Sequence, residues 1–181
     1  MLMIMKLILL EGGPASGKNT LGELLVKKFE DIGDKAVLLD LDFYVEQCNP
    51  KWVWDSPEQK EKDQINARIN FSKDINKHLE QDYNVIAIGE SILTESDVKK
   101  IVSRISIACP AYLYHLSVPF ELREQRLHAR GHHSLIDLKK NQEDKNFVKN
   151  WPGVIYENVN TPEIDASNLI SLITKGKGNV R

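Results

Sequence analysis

The feature that most constrains this chain is a glycine-rich loop, Gly12-Gly13-Pro14-Ala15-Ser16-Gly17-Lys18-Asn19-Thr20, set directly behind the apolar run Lys6-Leu7-Ile8-Leu9-Leu10. The apolar run reads as a strand. Leu21, Leu24, Leu25, Phe29 and Ile32 then recur at helical spacing, so Lys18 to Ile32 reads as a helix ended by Gly33-Asp34. A buried strand, a tight glycine turn and an amphipathic helix are the opening of a parallel α/β sheet. The rest of the chain keeps that alternation. Strands are expected at Ala36 to Leu39, Val85 to Ile88, Tyr112 to Leu116 and Gly153 to Asn158. The continuous apolar runs suit a sheet covered on both faces. Helices are expected from Ser56-Pro57-Glu58-Gln59 towards Leu79, from Thr94 to Ser103, from Pro119 to Arg130, and from Thr161-Pro162-Glu163 to Ile173. Phe43 to Asp55 reads as irregular and aromatic, Gly131 to Asn150 as polar and weakly patterned, and the tail Lys175 to Arg181 as loose. The expected fold is three-layer α/β/α, with a five-stranded parallel sheet, helices on both faces and a short lid.

The loop nearly spells G-x-x-x-x-G-K-[ST], a pattern that binds phosphate chains when a strand precedes it and a helix follows. Glycines let backbone N–H groups converge on an anion, the helix adds its positive end, and Lys18 adds a mobile charge. Asn19 stands where the pattern has Ser or Thr, and Thr20 supplies a hydroxyl one residue later. An amide oxygen also ligates Mg²⁺, so Asn19 and Thr20 are both candidate metal ligands.

In Gly13 to Thr20 the loop resembles that of the adenylate kinases and related nucleoside monophosphate kinases, which carry G-x-P-G-x-G-K-G-T. Ala15 and Asn19 stand where that family has glycines. A second stretch, His115-Leu116-Ser117-Val118-Pro119 to Arg130, resembles the strand-to-lid segment of the same superfamily, with its R-x-x-x-R pair at Arg126 and Arg130. Spaced four apart, the two share one helix face. The resemblance implies one P-loop kinase domain over residues 1–181, with an acceptor-binding insert at about 43–80 and a lid at about 126–150. It implies ATP and Mg²⁺ as cofactors, held by Gly12, Gly13, Pro14, Ala15, Ser16, Gly17, Lys18, Asn19 and Thr20, with Arg126 and Arg130 bordering the adenine and clamping phosphates. It places Asn160 and Thr161 in the loop that packs on adenine. Thr161 equally reads as a plain helix cap.

On the acceptor side, Asp40-Leu41-Asp42-Phe43-Tyr44 closes the second strand, at the carboxyl edge where open parallel sheets bind ligands. Asp40 and Asp42 fall on one side if the strand runs through both. The stretch is similar to the D-x-F-Y of uridine-kinase-like and antibiotic-phosphotransferase-like enzymes, which makes Asp42 the first candidate for general base and Asp40 the second. Phe43 and Tyr44, with Trp52 and Trp54, are candidates for stacking on an acceptor, and Arg68 for meeting an anionic one. Glu90, beside Ser91 after the third strand, is a candidate Mg²⁺ or acceptor carboxylate.

The departures fall on the acceptor side. No D-G-F-P-R follows the third strand, where the chain reads Gly89-Glu90-Ser91-Ile92-Leu93, and no arginine follows Arg130 until Arg181. Lys139, Lys140, Lys145 and Lys149 are the cations available to a lid, and His132-His133 read as its surface. The favoured activity is therefore transfer of a γ-phosphoryl group to a small hydroxyl acceptor such as a nucleoside or sugar. Transfer to a nucleoside monophosphate, to a polynucleotide end, or nucleotide binding without transfer are the alternatives.

A net charge of −2 gives no global field for nucleic acid. No run approaches the roughly 18 apolar residues of a membrane span. MLMIMKLILL lacks the basic start and small-residue cleavage site of a secretion signal, and Cys48 and Cys109 lack metal-ligand spacing. A cytoplasmic monomer or homodimer is expected.

Overall fold

The computed structural model describes residues 5–131, 139 and 150–181. Its strands, β1 (Leu7–Glu11), β2 (Ala36–Asp40), β3 (Asn84–Ile88), β4 (Ala111–Ser117) and β5 (Val154–Glu157), pair in parallel in the order β2-β3-β1-β4-β5. The central strand β1 is wholly buried, and Leu7 lies opposite Val85 on one side and Ala111 on the other. Because side chains alternate along a strand, its leucines and isoleucine split between two cores. Leu7 and Leu9 face α2 (Leu41–Cys48), α3 (Pro57–Glu80) and α4 (Glu95–Val102), packing with Phe71, Ile75, Leu79 and Val98. Ile8 and Leu10 face α1 (Lys18–Asp31) and α6 (Pro162–Thr174), packing with Leu21, Leu25, Phe29 and Leu169. α5 (Phe120–Ala129) leads from β4 towards the glycine loop, where Leu127 packs on Ala15. The three-layer α/β/α fold is as expected.

The caps read from sequence form as expected on α3, where Ser56 Oγ accepts from Gln59 N–H at 3.1 Å and Pro57 opens the helix. On α4, Thr94 and Asp97 close a reciprocal capping box. No helix among the described residues is long and apolar enough to cross a membrane.

Two expectations need correction. The stretch after β2 is not irregular: α2 starts at Leu41 because the Asp40 carboxylate accepts from Asp42 N–H at 3.1 Å and caps the helix. Leu41, Tyr44 and Val45 are its buried face, a three-four spacing short enough to be lost among aromatic and β-branched residues. The tail is not loose either. β5 pairs with β4 only from Tyr114 onward, which leaves the first half of β4 an open edge. The tail covers it: Leu113 N–H donates to Gly178 O at 2.9 Å and Val180 N–H to Ala111 O at 2.8 Å. Gly178 has φ +84°, and a Cβ there would stand 3.1 Å from Leu113 O. Arg181 then ties the end down by donating to Ile107 O at 2.7 Å.

Candidate functional site

Every strand ends on the same side of the sheet, so the loops after β1, β2, β3 and β5 meet there. The glycine loop is held from outside by its carbonyls. Lys18 Nζ donates to Gly12 O at 2.8 Å and Gly13 O at 3.2 Å, Arg123 Nε to Pro14 O at 3.0 Å, Arg126 Nη1 to Ala15 O at 3.4 Å, and Asn158 Nδ2 to Ser16 O at 2.6 Å. Satisfying these oxygens from side chains fixes a loop whose ligand-binding groups are N–H donors. Gly17 opens α1 at φ +92°, and a Cβ there would meet Asn158 Nδ2 at 2.6 Å, so this turn needs glycine for both backbone and space. Ala15 also has a positive φ, +58°. The loop, the α1 N-terminus and Lys18 make a donor set that fits a polyphosphate.

Two cavities flank the loop. The first, of about 450 Å³, is lined by Gly13, Lys18, Asn19, Asp42, Glu90 and Arg130 among others. The second, of about 240 Å³, is lined by Gly17, Thr20, Arg126, Arg130, Asn158 and Pro162 among others. Arg126 also donates to Asn158 O at 3.3 Å. Burial lowers its pKa from the ordinary arginine value, and neighbouring Arg130 lowers it further against the pull of Asp165. Two cations that repel each other beside a phosphate-type loop are a place for an anion.

Asp40 and Asp42 take different positions because β2 stops at Asp40. The expected shared strand face does not exist. Asp40 is spent on capping α2 and on accepting from Asn19 Nδ2 at 3.2 Å. Asp42 lies one residue into α2, open to solvent at the cavity wall. Partial removal from water raises its pKa above the ordinary carboxylate value, Asp40 raises it further, and Lys18 pulls it back.

The expected Mg²⁺ set is not brought together. Asn19 and Glu90 line the first cavity, but Thr20 lines the second. Glu90 is largely buried and both its oxygens are engaged: Oε2 accepts from Arg68 Nε at 3.1 Å and Oε1 from Arg104 Nη2 at 2.8 Å. Tyr44 is not a surface stacking group. It packs edge-on against Phe71 in the core, and its hydroxyl donates to Asp74 at 2.7 Å. Burial, with that bond and the Asp74 charge, pushes its pKa well above the ordinary phenol value. Phe43 is exposed, while Trp54 is anchored by a bond from Nε1 to Asp63. Asn160 gives both its backbone and side-chain N–H groups to Asp165, and the exposed Thr161 makes no side-chain cap bond. The residue that reaches the loop from beyond β5 is Asn158.

Arg123, Asn158 and Arg104 are the residues that sequence reasoning missed. Arg123 lies three before Arg126 and so on the same face of α5, a signal present in the sequence. Asn158 and Arg104 carry no local pattern. His132-His133, Lys140, Lys145, Lys149 and most of the expected lid lie outside the described residues, and Lys139 is exposed. We expect Asn158→Ala to cost about 1–3 kcal/mol, because it strands a buried carbonyl. Chemical denaturation checks this, and an unchanged midpoint would show that Ser16 O finds another donor.

A family model for the chromatin associated protein KTI12 matches residues 5–88, less than half of the chain. Comparison with curated protein sequences gives no match. Among solved structures, the APS kinase CysC of Mycobacterium tuberculosis in complex with AMPPNP and APS is similar, with a TM-score of 0.67 and 18% identity over 94% of this chain and 98% of that one. A sugar kinase from Janibacter sp. gives 0.66 and 14% over 95% of each chain. Shikimate kinase from Acinetobacter baumannii in complex with shikimate gives 0.55 and 20% over 97% of this chain and 96% of that one. With its strand-loop-helix opening, its sheet order and these likenesses, the chain has the P-loop kinase fold.

Proposed function

We propose that the protein is an ATP-dependent phosphotransferase acting on a hydroxyl of a small acceptor. The observation that carries this reading is Asp42, a carboxylate with a raised pKa in the wall of the cavity that also exposes Lys18 and Asn19. The structural likeness to APS, sugar and shikimate kinases supports it. ATP with Mg²⁺, when bound, supplies the phosphoryl group and a neutralising divalent charge. Lys18 and the α1 N-terminus hold phosphate charge, and Arg126 and Arg130 add positive charge beside them. Asn19 gives its amide N–H to Asp40 and leaves its amide oxygen for the metal. Asp42 orients the acceptor hydroxyl and takes its proton. Glu90 serves its two arginines.

Labelled-phosphate transfer from ATP and Mg²⁺ to nucleosides, nucleoside monophosphates and sugars tests the reading. Transfer to a hydroxyl supports it. Transfer only to monophosphates would replace it with a monophosphate kinase. Tight ATP binding with no transfer to any acceptor would favour a nucleotide-binding protein without catalysis.

The pH profile follows from the same carboxylate. Protonated Asp42 accepts no proton, so kcat/KM falls as pH drops through its raised pKa. Asp40→Asn keeps a capping side chain but removes the neighbouring charge, so the acid limb moves to lower pH. An acid limb that does not move would separate it from Asp42.

A further inference from the structure

We infer that Glu11 and His115 are positioning residues for the glycine loop, and that they hold it through one shared proton whose loss weakens nucleotide binding. The contacts stand on their own geometry, and their effect on a nucleotide rests on the reading above.

Glu11 closes β1 directly before Gly12 and lines the cavity that holds Lys18 and Asp42. In the parallel register it lies opposite His115 of β4, so the two side chains share one face of the sheet. Both residues are 4% exposed. The ring is engaged on both sides, with Nδ1 at 3.0 Å from Glu11 Oε2 and Nε2 at 2.8 Å from Pro152 O. Trp151 meets the ring edge-on, with ring centres 4.3 Å apart. The turn that brings Trp151 and Pro152 is set hard against β4. Gly153 has φ +79°, and a Cβ there would run into Leu113 O. Backbone packing therefore keeps the Pro152 carbonyl at the ring.

An ionised carboxylate and a carbonyl oxygen only accept hydrogen bonds, and a neutral imidazole has one donor. Both contacts are hydrogen bonds only when a second proton is present, on the ring or on the carboxyl. Arg123 sets a positive charge near Glu11, which keeps the carboxylate ionised and puts that proton on the ring. Without it, one ring nitrogen faces an oxygen lone pair to lone pair in a buried site. Charged groups reach the ring from β1 as Glu11 and from α5 as Arg123 behind it, and Lys18 shares the cavity that Glu11 lines. β5 and the turn before it bring Ile155, Trp151 and Pro152, which do not titrate.

The network grips the loop at two points. Glu11 is its covalent neighbour, and Arg123 donates to Pro14 O at 3.0 Å. The charged ring also sets two cations against one carboxylate behind a phosphate site, which favours an anion in the loop. Both effects have one sign. The clasp is whole on the acid side and is lost as pH rises and the ring gives up its proton, the opposite limb to that of Asp42.

Long-range proton–nitrogen NMR of the full chain with isotope-labelled histidine reads the ring's charge, and His115→Gln assigns its signal. We expect a proton on each ring nitrogen at mildly acidic pH. Calorimetric MgATP affinity should fall about tenfold as the ring turns neutral on the alkaline side. Glu11→Gln then separates positioning from mere structure. Its amide N–H donates to Nδ1 while Nε2–H stays on Pro152 O, so a neutral ring satisfies both contacts. The variant with a neutral ring also keeps the net positive charge that the wild-type network has when protonated. Its MgATP affinity should vary by less than about threefold over the same range, keeping at alkaline pH what the wild type loses. Thermal melting confirms that the variant is folded, and the wild-type ring's charge decides the clasp if it is not. A ring that is neutral at mildly acidic pH overturns the inference. So does wild-type MgATP affinity that is unchanged with pH, or a folded Glu11→Gln that loses affinity as the wild type does or at every pH. Wild type that binds no MgATP at any pH removes the nucleotide reading instead, and the ring's charge still decides the clasp.

Discussion

Asp42→Asn is expected to lower kcat for phosphoryl transfer by about 10²–10⁴-fold while leaving ATP affinity within a few-fold of wild type. The amide has the size of the carboxylate and cannot accept the proton. The fold should survive, because the capping bond at this turn uses the Asp42 backbone N–H and the Asp40 side chain. What α2 loses is one negative charge in its first turn, worth about 0.3–1 kcal/mol. Single-turnover transfer beside equilibrium binding of a non-hydrolysable ATP analogue separates chemistry from nucleotide binding. A variant that turns over within about threefold of wild type would remove Asp42 as base. Lys18 offers no such separation, since its charge serves binding and transfer together.

Arg123→Ala should destabilise the protein by about 3–5 kcal/mol, as removal of a buried charge from its partners does. Arg123 is 4% exposed and its Nε donates to Pro14 O at 3.0 Å. Burial lowers its pKa, and the nearby charge of Glu11 raises it back. Glu11 is itself buried and shares a bond with His115 Nδ1 at 3.0 Å, while His115 Nε2 contacts Pro152 O at 2.8 Å. The substitution therefore strips a buried carboxylate of a neighbouring cation and a loop carbonyl of its donor. Denaturant midpoints should fall, and KM for ATP should rise as the loop loosens. Arg123→Lys should rescue little, because an ammonium does not reproduce the directional Nε–H. A loss under about 1 kcal/mol would show that the guanidinium is dispensable to the buried network.

The sheet, the glycine loop and the capped helix α3 were all legible in the chain because their signals are local. Alternating or continuous apolar runs, a glycine turn and a Ser-Pro cap each act within one or two turns of backbone. Lys18 was legible for the same reason, since it lies in the glycine loop, while Arg126 came forward through the resemblance of its segment to a kinase lid and Asp42 through its place after the second strand and its resemblance to D-x-F-Y. α2 was missed because eight residues rich in aromatics give too short a period, and the tail was missed because the open edge it covers belongs to β4, far away in sequence.

The order of elements and the loop that precedes Lys18 follow from the chain alone, since propensity and periodicity depend on neighbours along it. Which polar groups meet was left to the packing of distant segments. Asp40 became a cap while Asp42 reached the cavity, because the strand stops at Asp40 and a helix begins at Leu41. Asn158 rather than Asn160 reached the loop. Glu90 acquired two arginines from two helical segments. Such pairings are set by burial, since a charge or carbonyl withdrawn from water needs a partner from whatever part of the chain the packing brings near.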